Sequence, residues 1–235
     1  MIQKTNEKYM LKTKYQIATA IAIFFHAIGF VGMFINKKIF VATTGLNLLL
    51  MLGLLVYTQK KINIAYIIFF LLCFSTGIAV EIIGTSTGHL FGQYEYGKML
   101  GPAIKNVPLV IGINWFIIMY CCGVAVYTVV EKLSNRLEIV TGERPKALKI
   151  VSLVSDGAMV AVIFDWIMEP AAIKLGFWKW LGDGEIPSFN YLTWFGISTL
   201  LMIAFAFLKF EKQNIFAVHL LMIMAMFFML IRTFL

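Results

Sequence analysis

Seven apolar runs dominate this 235-residue chain, and each is about long enough to cross a lipid bilayer as a helix. Hydrophobic residues make up 60% of the sequence and charged residues only 14%, too few for an ordinary soluble surface. The predicted structure is therefore an all-α, polytopic membrane helical bundle, with residues 1–235 forming one transmembrane domain. The predicted spans are 15–35, 39–57, 62–83, 107–130, 148–168, 190–209 and 215–233.

The positive charges lie at the ends of these runs and predict the orientation of the bundle. Lys and Arg number 13 on the N-terminal side and 7 on the opposite side. Because cytoplasmic connections are enriched in Lys and Arg, we expect a multi-pass cell-membrane protein with its N-terminus cytoplasmic and its C-terminus outside. The net charge of +8 is thus a topology signal, and no nucleic-acid partner is expected. The first run lacks a following cleavage site and is predicted to be retained.

Two carboxylates interrupt the fifth apolar run. Asp165 and Glu169 are four residues apart, which places them on one face of a helix. A charge in hydrocarbon is so costly that such a pair marks a functional site by default. Glu81 ends the third run at a similar depth and is predicted to complete a carboxylate cluster with Asp165. These three acids are the predicted catalytic residues.

Each acid also has a structural interpretation that the sequence leaves open. Asp165 could pair with a loop lysine such as Lys174 or Lys179, and Glu169 could simply be solvated near the membrane interface. Asp156 precedes Asp165 by nine positions, so it points half a turn away and lies roughly 13 Å deeper. An interhelical hydrogen bond or a contact with nearby polar groups would account for Asp156.

The connections 84–106 and 169–189 are the two that are both long enough and unusual enough in composition to hold chemistry, and the predicted orientation puts both outside. Each follows a helix that ends in acids, is rich in Gly and aromatic residues, and closes with a β-branched residue and a proline. This shared pattern indicates a weak internal repeat of helices 3–4 and 5–6. We expect residues 88–97 to fold back over the bundle mouth. Alternatively, the aromatic residues form only an interfacial belt.

The rest of the sequence disfavours other kinds of site. His26, His89 and His219 are far apart and show no paired-ligand spacing, so no metal is predicted. The three cysteines lie inside apolar runs, as expected of small packing residues. Helix 7 contains no lysine that could form a Schiff base. The chain also has no Walker loop, nucleophile elbow or HExxH sequence.

A set of short motifs between residues 80 and 210 is specific in combination. The motifs are Glu81, Phe91-Gly92-Gln93-Tyr94-Glu95-Tyr96, Leu100-Gly101, Val107-Pro108-Leu109, Trp115, Asp165-x-x-x-Glu169-Pro170, Gly176-Phe177-Trp178-Lys179-Trp180, Ile186-Pro187 and Asn190-Tyr191-x-x-Trp194. Together they resemble the integral-membrane carotenoid hydratase family, which includes bisanhydrobacterioruberin hydratases and γ-carotene 1',2'-hydratases. The chain departs from the family pattern at two places: Glu169-Pro170 replaces the Asp-Pro frequent in the family, and 182–185 replaces a Gly-rich stretch bearing Tyr.

The resemblance implies a carotenoid biosynthesis enzyme that adds water across the terminal C=C, at the 1,2 position, of an acyclic end group. Protonation of the alkene gives a tertiary carbocation, which water captures. A buried carboxylic acid would donate the proton, and a second carboxylate would accept the proton that water loses. Aromatic faces would stabilise the cation. No cofactor is required.

The same resemblance implies the partners, and polar and aromatic residues of the predicted site are the candidates for substrate binding. The substrate would be lycopene, γ-carotene or a related polyene that enters from the lipid bilayer, and other carotenoid biosynthesis enzymes are candidate partners. The residues predicted to bind substrate are Tyr94, Tyr96, Asn114, Trp115, Trp178, Trp180, Asn190, Trp194 and Asp156. Which carboxylate is the acid and which is the base stays open.

Two other functions stay open as well. A membrane lycopene cyclase starts with the same protonation, but an internal double bond captures the cation, so water must be excluded. Polar residues near the acids, among them Asn114, Asn190 and Tyr94, favour the hydratase, and the Pro-x-Glu-Glu type motif associated with that cyclase is not found. In a transporter or lipid-binding bundle the acids would bind a proton or cation, but no predicted helix is interrupted in mid-span.

Overall fold

The computed structural model describes residues 2–141 and 146–235, and within these ranges the chain folds into seven helices. They are α1 (Ile2–Ala42), α2 (Thr44–Thr58), α3 (Ile64–Thr87), α4 (Leu109–Thr141), α5 (Lys146–Leu175), α6 (Ser188–Phe207) and α7 (Ile215–Phe234). All except α2 are long and apolar enough to cross a membrane. The protein is an all-α polytopic bundle, as predicted.

The break between the first two predicted spans lies at Asn36. Its backbone is non-helical, and its Oδ1 accepts a hydrogen bond from the Ile39 amide at 3.2 Å, as a helix N-cap does. Helical hydrogen bonds then continue across Thr43, from the Thr43 amide to Ile39 and from the Asn47 amide to Thr43. The residues after Asn36 therefore extend α2 to about the length of the predicted second span.

Helix α4 forms the centre of the bundle. It contacts α2, α3, α5, α6 and α7, and residues 116–122 are fully buried. Inside a membrane, helices attract one another mainly through close packing and not through the hydrophobic effect. A central helix packs against the most neighbours and therefore gains the most from this attraction. Cys73, Cys121 and Cys122 are buried free thiols in this packing, as predicted.

Helices α4 and α5 are longer than predicted. Most of the expected 131–149 connection is helical, and its residues 142–145 lie outside the described part of the chain. Helix α5 also continues past its expected end at residue 168, through Pro170, to Leu175. Proline removes one helical hydrogen bond, but packing on both sides can hold the helix together. Because the helix continues, Glu169 belongs to the packed bundle and not to a loop.

The two long connections meet at one end of the bundle through short strands. The strands are β1 (Tyr94–Tyr96), β2 (Ala103–Ile104), β3 (Val107–Pro108) and β4 (Trp178–Trp180), with a 3₁₀ turn at Lys98–Leu100. Strand β1 pairs antiparallel with β4, so that Tyr94 opposes Trp180 and Tyr96 opposes Trp178. The segment after α3 thus folds back onto the bundle, as predicted, although the sequence pattern predicted no strand.

Candidate active site

Eleven of the twelve predicted site residues line one cavity, at the end of the bundle where β1 and β4 pair. They are Glu81, Tyr94, Tyr96, Asn114, Trp115, Asp165, Glu169, Trp178, Trp180, Asn190 and Trp194. We call this space the acid cavity. The three carboxylic acids come from α3 and α5 and are at most 6% exposed. Acids from two helices that are far apart in sequence therefore share one buried space.

Glu81 is held by three side-chain donors. The hydroxyl groups of Tyr94 and Tyr96 both donate to Oε2, and the Trp115 indole nitrogen donates to Oε1 at 3.0 Å. Burial, and after it the charge of Glu81, raises the pKa of the Tyr94 and Tyr96 phenols well above the usual value. Both phenols therefore stay protonated and keep donating. Both oxygens of Glu81 thus accept hydrogen bonds.

Two glycines of α3 leave room for these donors. Gly77 and Gly84 lie about one turn before and one turn after Glu81, on the same helix face. A Cβ at Gly77 would lie 2.6 Å from the Trp115 ring, and a Cβ at Gly84 would lie 2.8 Å from the Tyr94 hydroxyl oxygen. Both distances are well inside van der Waals contact. Any side chain at either position would push a donor away from Glu81.

Glu169 accepts two hydrogen bonds from strand β4. The indole nitrogens of Trp178 and Trp180 donate to its Oε2 at 3.0 and 3.1 Å. Both indoles reach the same oxygen because residues two apart in a strand lie on one face. Within the described residues, Oε1 of Glu169 has no hydrogen bond. Glu169 is 3% exposed, so the alternative that it is solvated at the interface is wrong.

Asp165 is fully buried, and one of its oxygens has no partner. Asn190 donates to Oδ2 at 2.9 Å, whereas Oδ1 has no hydrogen bond from any described residue. The alternative of an ion pair with a loop lysine is wrong. Lys174 donates to a backbone carbonyl of α7 at 2.7 Å, and Lys179 pairs with Glu95 at 2.8 Å. An unsatisfied buried carboxyl oxygen is costly, and such groups are typical of sites kept for chemistry.

A stacked pair of indoles forms part of the cavity wall. The ring centroids of Trp115 and Trp194 are 4.1 Å apart, and the ring planes differ by 8°. Each Trp lies seven residues after the proline that closes a long connection, Pro108 or Pro187. The stacked indoles thus lie at the same distance in sequence from the prolines of the two predicted repeats.

A family model described as carotenoid biosynthesis protein matches residues 40–235, which include the whole wall of the acid cavity. The chain belongs to this family. A curated relative, bisanhydrobacterioruberin hydratase of Haloarcula japonica, is 28% identical over 150 residues. That match covers 63% of this chain and 44% of the relative, which is less than half of the relative's length. No solved structure gave a significant match. The family resemblance seen in the motifs is confirmed.

Asp156 is the predicted site residue that the structure does not bring to the acid cavity of this carotenoid biosynthesis protein. It is exposed on α5, accepts a hydrogen bond from Ser155 at 3.1 Å, and lines a separate cavity between α4 and α5. The nine-residue offset from Asp165 turns its side chain away from the acids. We therefore leave Asp156 out of the proposed site.

Three further residues of the wall were missing from the predicted set. They are Phe91, Ile111 and Met168. Ile111 lies one turn before Trp115, and Met168 lies nearly one turn after Asp165, so helical periodicity was the signal that could have identified both. Phe91 belongs to the glycine-rich segment and packs edge-on against Tyr94. No periodic pattern marks a residue in such a loop.

The acid cavity is much smaller than an ordinary small-molecule site. Its volume is about 30 Å³. This is enough for a water molecule, whereas ligand pockets usually measure ~300–1,000 Å³. A larger ligand can therefore reach the acids only if wall side chains move. What the site offers chemically is a carboxyl oxygen without a partner, two carboxyl groups held by donors, and aromatic faces on the remaining sides.

Proposed function

We propose that this protein adds water across the terminal C=C of an acyclic carotenoid end group, at the 1,2 position. The observation that carries the proposal is the grouping of three buried carboxyl groups around a water-sized cavity walled by Trp and Tyr rings. Family membership supports a carotenoid substrate such as lycopene, γ-carotene or a related polyene. The name of the Haloarcula japonica relative supports hydration as the reaction.

Asp165 is the proposed proton donor. Three carboxyl groups that share one buried cavity repel one another when charged, so we infer that at least one holds a proton. Asp165 has one donor, from Asn190, whereas Glu169 has two and Glu81 has three. The proton therefore lies most favourably on Asp165. Transfer of this proton to the terminal alkene ionises Asp165 and leaves a tertiary cation on the substrate.

Glu169 is the proposed base in the second step. Water forms a C–O bond to the tertiary carbon and loses a proton, which a nearby carboxylate must accept. Glu169 can accept this proton on Oε1, because both of its hydrogen bonds end on Oε2. Glu81 is held at both oxygens, so we assign it to electrostatic stabilisation of the cation. Return of the proton to Asp165, one turn away on α5, restores the starting state.

The aromatic wall has two proposed roles. Because Trp115 and Trp194 are stacked, one ring of the pair can present its outer face to the cation, an attraction of about 0.5–2 kcal/mol. The same rings exclude bulk water, so the cation meets one positioned water molecule. Both proton transfers use carboxyl groups of the chain, and the proposed sequence of steps involves no cofactor.

The proposed reaction is tested by expressing the protein in a host that makes lycopene or γ-carotene. We expect mass spectrometry of the pigments to show a hydroxylated product heavier by one water than the substrate. A cyclic product of unchanged mass would identify a lycopene cyclase-type enzyme. An unchanged pigment profile, with the protein present in the membrane, would point to a transporter or lipid-binding bundle.

Gly84→Ala is expected to slow hydration while the protein stays folded. A Cβ at Gly84 would lie 2.8 Å from both the Tyr94 hydroxyl oxygen and the Phe91 ring, so both side chains would shift and the Tyr94 donor would move from Glu81. A hydrogen bond to a charged group contributes about 1.5–3 kcal/mol. The matched control is Gly53→Ala, because a Cβ at this α2 glycine meets nothing within 4 Å. The measurement is product formed per amount of membrane-inserted protein. Equal product from the two variants would show that donation from Tyr94 does not matter.

We also propose that the acid cavity lies on the outer side of the cell membrane, with the N-terminus cytoplasmic and the C-terminus outside. The support is the 13 to 7 distribution of Lys and Arg. A reporter fused after Lys146 is expected to be cytoplasmic, and Asp183→Cys is expected to react with a membrane-impermeant thiol reagent from outside. The native cysteines are buried and add little background. Labelling of Asp183→Cys only from the cytoplasm would invert this orientation.

A further inference from the structure

A second cavity, larger and apolar, lies between α1, α2 and α7. Its volume is about 460 Å³, and its wall includes Phe25, Ile28, Met33, Met51, Met224 and Phe227. No Asp, Glu, Lys or Arg side chain lines it. We call it the apolar cavity. His26, Thr43, Thr44, Asn47 and Asn114 add uncharged or weakly basic polar groups to a wall that is mainly apolar. A space of this size and lining suits a largely hydrocarbon ligand and gives a strongly charged one no ion-pair partner.

The apolar cavity adjoins the acid cavity at Asn114. The Asn114 side chain of α4 lines both cavities. In the second long connection, one residue lines the apolar cavity and the next residue lines the acid cavity. Phe177 lines the apolar cavity, and Trp178 lines the acid cavity. Asn114 makes no side-chain hydrogen bond within the described residues. Its rotamer can therefore change without the loss of a hydrogen bond.

We propose that the apolar cavity binds the polyene chain of the substrate, and that the reacting end group passes Asn114 to reach the acids. This inference rests on the proposed hydration of a carotenoid. The acid cavity, at about 30 Å³, cannot hold an end group together with its chain, so the chain must lie in an adjoining space. The apolar cavity is the adjoining space, and its lining matches a conjugated hydrocarbon.

The same cavity reaches the lipid-facing surface of α1 and α2. Phe25, Ile28 and Leu46 of its wall are 45%, 43% and 68% exposed on the outside of the bundle. A polyene dissolved in the bilayer could thus pass between these two helices without crossing water. The acyl chain of a membrane lipid has similar chemistry and is the competing occupant.

The test places a larger side chain in the apolar cavity, at a position on α1. Gly29 lines it, and a Cβ there would meet Phe227 at 3.8 Å, an ordinary contact, so Gly29→Ala is tolerated and Gly29→Leu occupies the space. We expect Gly29→Leu to lower hydration of a full-length polyene by at least about tenfold, because the added side chain would clash with a polyene chain that lies in the cavity beside Phe227. Gly29→Ala is expected to give an intermediate loss. Gly53→Leu, on the exposed side of α2, is the matched control and is expected to keep full activity.

A short acyclic isoprenoid with the same end group separates this inference from the proposed function. It needs the acid cavity but little of the apolar cavity, so we expect Gly29→Leu to hydrate it as the wild type does. If Gly29→Leu and wild type hydrate the full-length polyene equally well, the inference is overturned while the proposed function stands. If the wild type hydrates neither substrate, the proposed function itself fails.

Binding gives a readout that does not depend on turnover. Protein purified from a polyene-producing host is expected to carry polyene absorption in the wild type and in Gly53→Leu, and to lose most of it in Gly29→Leu. Wild-type protein that carries lipid acyl chains and no polyene would overturn the inference. Thermal unfolding of the two leucine variants is compared first. If Gly29→Leu does not fold, Gly29→Ala takes its place in the test and is expected to carry less bound polyene than the wild type. An undiminished amount of bound polyene in Gly29→Ala would then overturn the inference.

Discussion

Replacing Asp165 with asparagine is expected to lower carotenoid hydration by roughly 100- to 10,000-fold, the usual contribution of a general acid. The amide has nearly the shape of the carboxyl group and can still accept a hydrogen bond from Asn190, but it has no acidic proton to give to an alkene. Because Asp165 is fully buried, this near-isosteric change avoids the cavity that alanine would create. The measurement is hydroxylated pigment per amount of membrane protein.

Asp156→Asn is the matched control for this variant. It makes the same chemical change on the same helix, at an exposed position away from the acid cavity. We expect Asp156→Asn to keep full activity. This result would show that the loss of hydration in Asp165→Asn comes from the place of Asp165 in the acid cavity and not from the chemical change alone. Near wild-type product from Asp165→Asn would remove Asp165 from the mechanism and leave Glu169 or Glu81 as the proton donor.

Helical periodicity explains why the acids could be grouped from the sequence. A spacing of four puts Asp165 and Glu169 on one face, and the position of Glu81 near the end of its run puts it at a similar depth. Charge is so unfavourable in hydrocarbon that all three had to face the inside of the bundle. The structure places them there because these constraints depend only on helix geometry and membrane depth.

The partners of the acids could not be predicted in the same way. Trp178 and Trp180 reach Glu169, and Tyr94 reaches Glu81, through an antiparallel pair of three-residue strands that are more than 80 residues apart in sequence. Such short strands carry no alternation that would reveal their register. The aromatic residues were recognisable, but an interfacial belt predicts the same composition.

The end of α5 was mispredicted for a local reason. Pro170 is a common stop signal, and the residue before a proline is a frequent helix boundary. Here α5 continues for five residues beyond Pro170, and this extension keeps Glu169 buried. The apolar cavity could not be predicted either. It depends on how α1, α2 and α7 pack, and neither Gly29 nor the other α1 residues of its wall form a sequence motif.

In ¹⁸O-labelled water, the product is expected to carry the heavy oxygen in a tertiary hydroxyl group, because solvent water captures the cation. Glu169→Gln is expected to slow this capture by roughly 100-fold or more, since the amide cannot accept the proton that water loses. Trp178 and Trp180 can still donate to the amide oxygen, so the site keeps its shape. Glu185→Gln, at an exposed loop position, is the matched control and is expected to behave as the wild type does.

The fate of the stranded cation in Glu169→Gln distinguishes the two carboxylates. Without a base for water, the cation can lose a proton or cyclise, so isomerised or ring-containing carotenoids are expected in small amounts. Glu81→Gln is expected to slow formation of the cation itself and to give fewer of these by-products, because Glu81 stabilises charge and is held at both oxygens. The reverse pattern would exchange the two roles. A cyclic product without labelled oxygen from the unmodified protein would show that an internal double bond, and not water, captures the cation.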